Sequence, residues 1–415
     1  MSDPVENETP SGPRVPDHTP VPRYRTWQGW PILSQGFRPF FLFAGLWAII
    51  ALLIWMHAFL GLLESPGALT PLAWHTHEML FGYGAAVMAG FMLTAIPNWT
   101  GRLPLQGWPL AGLAGLWIAG RLAIWFSDDL GTPATALIDL GFLISFAVIA
   151  LREIAAGKNW RNLPLVLAIT ILITANALTH AGYADITING ADLEPIGTRL
   201  ALAVFAAMIM LIGGRVVPSF TRNWLVKAGH TRLPAPFGKF DKIALVVGIV
   251  ALLAWVFAPF SVTSAGLVAL AAVAHVVRLS RWRGLPTWRE PLLAVLHVGY
   301  GWIPVALALI AAGGFWPDRV PPSAGIHALT VGAIATMTLA VMSRAIRGHS
   351  GRSLTAGTVA TLVFIAITFA ALVRVGTPFH ADTYTVHLMV AAALWIAAYL
   401  GFVLVHAGAI LLRPR

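Results

Sequence analysis

From residue 37 onward the chain alternates between long apolar runs and short polar or basic connections. The runs approach the ~20 residues that a helix needs to cross a hydrocarbon core. Twelve recur, at 37–63, 74–99, 108–126, 132–151, 163–183, 197–217, 240–257, 260–279, 291–315, 324–343, 354–375 and 383–411. In lipid every backbone amide must find its partner inside the segment or in a closed barrel, so runs this long predict helices. The expected fold is an all-α polytopic membrane protein with twelve transmembrane helices occupying residues 37–415. Residues 1–36 are polar and proline-rich, and they read as a disordered cytoplasmic tail, not a cleavable signal.

Charge orients these spans. Twelve crossings put both termini on one side, and every Lys and Arg except Arg121, Arg199, Arg319 and Arg374 falls on that side. Basic loops mark the cytoplasmic face, so both termini are expected there. The net charge of +10 is thereby a property of short inner loops and argues against a nucleic-acid partner. A soluble domain carries about 25% charged residues, whereas this chain has 11% charged and 58% hydrophobic residues. There is no cysteine. Disulfides, thiolate metal sites, iron–sulfur clusters and cysteine-attached haem are excluded, and any metal must rest on histidine, carboxylate or methionine.

Short matches hint at an internal repeat. "FRPF" at 37–40, "WRNLP" at 160–164 and "WREP" at 288–291 each open an odd-numbered run. His57 follows Arg38 by 19 residues, as His180 follows Arg161. His77 precedes Arg102 of "TGR" by 25, as His327 precedes Arg352 of "SGR". Three units of four helices, each of about 125 residues, account for these offsets.

Topology sorts the histidines by depth. His57, His75, His77, His180, His327 and His387 fall near outer helix ends, with His380 in an outer loop, whereas His275, His297, His349 and His406 lie toward the inner side. One buried histidine usually just hydrogen-bonds a neighbouring helix. Six at one level point to a metal or haem site, with His57, His75, His77, His180 and His327 as the metal candidates. In "WHTHE" (74–78), positions two apart on a helix face about 200° away from each other, so His75 and His77 serve different centres unless residues 74–76 are unwound. Arg199 and Arg374 stand where haem propionates would take a guanidinium. Glu78, one residue past His77, is placed to relay protons from the outer side. Arg121 and Asp139 sit at matching depth on consecutive spans and should pair. Gly82, Gly84, Ala85, Ala86, Ala89 and Gly90 would let a flat macrocycle or another helix approach closely.

The blocks "WHTHEMLFGYGAAVMAGFMLTAIPNWTG", "FRPFFL", "GGRVVPSFTRNWL", "LHVGY" and "HALTVGAIATMTLAVMSRAIRGHSGR" resemble those of the NnrS family, bacterial membrane proteins of the nitric oxide response. That resemblance implies a twelve-helix inner-membrane protein containing haem and copper. By motif it extends to His75, His77, Glu78, Arg215, His297, His327, Arg344 and His349. With no cysteine the haem would be haem b, with His77 and His327 the preferred ligands and His297, Arg199, Arg215 and Arg374 around it. The implied activity is reduction of nitric oxide, with Glu78 as the catalytic proton relay, a quinol or cytochrome as electron donor, and lipid as the surroundings. Nitric oxide binding or sensing without turnover, or transport through twelve helices, are the alternatives.

Overall fold

The computed structural model describes residues 27–412; most of the expected tail lies outside them. Eleven helices among the described residues are long and apolar enough to cross a membrane. They are α1 (Phe37–Phe59), α2 (Pro71–Thr100), α4 (Thr132–Ala156), α5 (Trp160–Tyr183), α6 (Leu193–Lys227) and α7 (Lys239–Phe257), then α8 (Val262–Ser280), α9 (Pro291–Phe315), α10 (Pro322–His349), α11 (Thr358–Phe379) and α12 (Ala381–Leu411). α3 (Trp108–Trp125) completes the twelve expected segments. It carries a buried arginine, Arg121, which lowers its mean hydropathy. Among the described residues, strand is confined to a hairpin of two two-residue strands between α5 and α6. The chain is an all-α multi-pass membrane protein.

Outward-facing Leu, Ile and Val run along α7, for example Ile243, Val246 and Leu253, while small residues such as Ala244 and Ala251 turn inward. Lipid supplies no hydrophobic force between helices, so close packing of small side chains holds such a bundle together. The motif "FRPF" closes it. Arg38, buried at the start of α1, donates from Nη1 to the carbonyls of Ile410 (2.8 Å) and Leu412 (2.9 Å), which α12 leaves free at its end. The first and last helices therefore begin and finish at one end of the bundle, the end with most of the basic residues, called inner here.

Three helices depart from regular geometry in the same way. α2, α6 and α10 each switch to a π-helix, over Glu78–Gly84, Ile209–Gly213 and Ala328–Ala335. They stand four helices apart in the chain, the spacing of a three-unit repeat. A π turn widens the helix by one residue and rotates the succeeding turns, and such segments concentrate at functional sites. α2 and α10 also exceed their sequence expectations at the outer end, starting at Pro71 and Pro322, because proline is well placed in a first helical turn.

Candidate functional site

α2 carries the site on two opposite faces. It is already regular α-helix from Pro71 to His77, capped by Thr70, whose Oγ1 accepts from the Ala73 amide at 3.3 Å. Residues 74–76 are thus not unwound, and His75 and His77 point away from each other, as their spacing requires.

One face opens on a cavity of about 540 Å³ enclosed mainly by α2, α6, α10 and α12, with α1, α9 and α11 completing the wall. Cofactor and ligand sites typically have about 300–1,000 Å³. Its walls are chiefly aromatic and aliphatic, and its mouth includes loop residues Pro259 and Phe260 at the outer helix ends. Five ionisable or imidazole side chains line it near the outer end: His75, His327, Arg199, Arg374 and Glu194. His75 stacks on Trp55 with ring centroids 4.3 Å apart, and its buried Nδ1 has no hydrogen-bond partner. His327 Nδ1 lies 2.7 Å from the Ser323 carbonyl one turn back. That contact requires Nδ1 to carry the proton, so Nε2 keeps its lone pair. Arg374 is close enough to act electrostatically on both imidazoles, and its buried Nη1 is unpartnered. Arg199 donates from Nε to the Val256 carbonyl at 2.9 Å.

The other face builds a closed polar cluster between α2, α3, α4 and α5. Asp139 is its hub. Its Oδ1 accepts from Arg121 Nη2, and its Oδ2 accepts from Asn176 Nδ2 at 2.7 Å. His77 Nε2 and His180 Nε2 each lie 3.1 Å from that same Oδ2. Glu78 Oε2 accepts from Arg121 Nη1 (2.6 Å) and from Trp47 Nε1 on α1 (2.7 Å). All of these side chains except Trp47 are buried. His77, Asp139 and His180 each offer one ligand atom, mutually within 4.8 Å, a spacing that one metal ion could bridge. His77 Nδ1 and Glu78 Oε1 stand 3.7 Å apart, and these two atoms and Asn176 Oδ1 are buried without a hydrogen-bond partner.

Glycine makes room for the cluster. A Cβ on Gly82 would stand 2.6 Å from Glu78 Oε2, 2.7 Å from Trp47 Nε1 and 2.9 Å from Arg121 Nη1. Gly82→Ala should therefore push Glu78 and Arg121 apart. Breaking a buried charge pair costs about 3–5 kcal/mol, far more than the roughly 0.5–1 kcal/mol that alanine returns in a helix. The variant should melt well below wild type in a detergent thermal-shift assay. Gly112→Ala, where a Cβ meets nothing within 4 Å, should not. Equal melting of the two would show that the cluster tolerates displacement. The other small residues of α2 serve packing: Gly84 faces Phe205 of α6, and Gly90 faces Phe41 of α1.

The predicted site residues separate accordingly. The Arg121–Asp139 pair is present. His77 and His327, matched by their equal offsets to Arg102 and Arg352, do not meet: His77 belongs to the cluster and His327 to the cavity, because the helix turns His77 away. His180 joins His77 in the cluster. His57 is exposed on α1, its Nδ1 2.8 Å from its own helix carbonyl at Leu53, and lines neither site. His297 lies at the start of α9 beside Thr221, its Nε2 2.8 Å from Thr221 Oγ1, and Arg215 is exposed over the Phe237 ring; neither lines the cavity. Glu78, expected near the outer surface, is fully buried and faces away from the cavity. Arg344 lies over the Phe220 ring and His349 packs against Phe37 at a tilt, both toward the inner end.

Sequence reading did not reach Asn176, Trp47 or Trp55. Asn176 had a usable signal, since it lies one helical turn before His180 and so shares its face. The tryptophans had none, because their partners come from other helices.

No curated protein matches the chain. Residues 31–415, nearly its whole length, match the model of the family described as NnrS protein, and the chain belongs to the NnrS family.

Proposed function

We propose that this protein is a haem-containing membrane protein that acts on nitric oxide, most simply by reducing it, with the haem in the central cavity and a second metal at His77, His180 and Asp139. Family membership supports the nitric oxide response. One observation carries the haem reading: two imidazoles, His75 and His327, enter a single apolar cavity of about 540 Å³ with unpartnered ring nitrogens, beside Arg374 and Arg199.

Those residues suit haem b. His327 is pre-set with Nδ1–H on the Ser323 carbonyl, the arrangement that orients an imidazole and raises its basicity as a ligand. His75 is held flat against Trp55. Arg374 and Arg199 would receive the carboxylates of the macrocycle. The absence of cysteine leaves only non-covalent attachment. Bound haem would supply a redox-active iron with affinity for a small uncharged ligand. The apolar walls exclude bulk water while admitting a lipid-soluble gas.

The polar cluster suits a nitrogen- and oxygen-preferring ion such as copper(II). Counted formally, two carboxylates and one guanidinium leave one buried negative charge, which is costly without compensation. A cation between the two imidazoles and Asp139 would neutralise it, and Arg121 on the second Asp139 oxygen would hold the carboxylate in place.

The test is the absorption spectrum and metal content of the purified protein. Wild type should show a Soret band that shifts on adding nitric oxide. His75→Ala and His327→Ala should each lose at least half of the haem or change the band, while the folded fraction by gel filtration is kept. A colourless wild type overturns the reading in favour of transport; unaltered spectra in both variants remove the cavity from it.

A further inference from the structure

Tyr83, in the floor of the cavity, belongs to a connected set of hydroxyls that continues behind the cavity wall. Tyr83 is the deepest titratable group in the lining. α2 runs inward, and eight residues separate Tyr83 from His75, about 12 Å along the axis. The Tyr83 hydroxyl is 2.5 Å from Thr338 Oγ1 and 2.5 Å from the Tyr399 hydroxyl. Thr338 Oγ1 itself donates to the Ala335 carbonyl at 2.9 Å, so toward Tyr83 it can only accept. This fixes the polarity: Tyr399 donates to Tyr83, and Tyr83 donates to Thr338. At rest the Tyr83 proton is held on Thr338; once turned from Thr338 toward the cavity and released, it would be replaced by the one that Tyr399 holds.

Beyond Tyr399, α12 continues inward to His406. This histidine is buried, packed on Phe402 and within the field of the inner Arg347 and Arg352, and its Nδ1 has no partner. Seven residues separate the two, about 10 Å along the helix, so the proposed relay needs a short chain of at least two buried waters between them. On the outer side, Glu78 faces the other way and is fastened by Arg121 and Trp47, and Glu194, which lines the cavity at the start of α6, accepts from Thr198 Oγ1 at 2.9 Å.

We propose that Tyr83 hands protons to the species reduced in the cavity and is recharged from the inner side through Tyr399 and His406. The proposal rests on the reductive reading above. Two nitric oxide molecules, two electrons and two protons give one nitrous oxide and one water: an N–N bond forms, one N–O bond breaks, and the freed oxygen leaves with both protons. The electrons come from a one-electron donor of the cytochrome class or from a quinol. Tyr83 ends each cycle unchanged.

The protein in right-side-out proteoliposomes, with one pH dye trapped inside and an impermeant dye outside, tests the route. Hexaammineruthenium(II) is the electron source because it carries no proton. Nitric oxide should alkalinise the inside, with two protons consumed per nitrous oxide. Tyr83→Phe and Tyr399→Phe should each lower both signals at least tenfold while leaving haem content and the nitric oxide-induced Soret shift unchanged. A second readout needs no turnover: the reduced-minus-oxidised infrared difference spectrum should contain tyrosine bands that Tyr83→Phe removes. Alkalinisation of the outside, normal turnover by Tyr83→Phe, or no tyrosine bands in wild type would each overturn the route. A wild type that shifts its Soret band with nitric oxide yet makes no nitrous oxide overturns the reductive reading, and the route with it.

Discussion

Asp139→Ala should be the most damaging single substitution in the protein. Asp139 meets Arg121, Asn176, His77 and His180 inside the membrane domain. Removing it leaves Arg121 with Glu78 alone and strands two imidazoles and an amide with no acceptor. Loss of one member of a buried charge pair costs about 3–5 kcal/mol, mostly as the penalty of the charge left behind. Native proteins are stable by only about 5–15 kcal/mol in total, so this is a large share. Asp139→Ala should therefore fall largely into the aggregated fraction on detergent extraction. Asp139→Asn keeps the shape and one acceptor oxygen, so it should be recovered in part, with a lower melting temperature. The comparison is read by fluorescence-detected gel filtration after a heating series. Survival of Asp139→Ala at wild-type yield would mean that water enters the cluster and solvates the groups the carboxylate now holds.

The second large effect is a separation of two metals. His77→Ala and His180→Ala remove ligand atoms only from the cluster, because both rings face away from the cavity. Each should abolish most of the non-haem metal measured by mass spectrometry, while the Soret band keeps its position and intensity. Loss of a metal ligand or of its hydrogen-bonded support costs at least 10–100-fold in affinity, enough to empty the site during purification. His75→Ala and His327→Ala should give the reverse pattern. Loss of both cofactors together from a folded His77→Ala protein would merge the two centres into one and defeat this assignment. Full metal retention in His77→Ala and His180→Ala would leave the cluster as a hydrogen-bonded brace between α2, α4 and α5.

Much of this was legible along the chain, for identifiable reasons. Hydrocarbon thickness fixes helix length, so the twelve segments and the basic inner end come from composition and spacing alone. The opposite orientation of His75 and His77 comes from 3.6 residues per turn, and the pairing of Arg121 with Asp139 from matching depth on neighbouring spans. Arg38 stood out as part of "FRPF", but its partners are carbonyls more than 370 residues away, which no local pattern encodes. The offsets that equated His77 with His327 were real sequence features. They mispaired the two because His77 turns toward Asp139 and His180 on α4 and α5, whereas His327 turns into the cavity. Only the tertiary structure decided which face of each helix meets which neighbour. That choice depends on small-residue packing in a solvent without hydrophobic preference, where helices are equally apolar all round and periodicity no longer marks an inside. It put Glu78 in the cluster and Tyr83 in the cavity although they lie five residues apart on one helix.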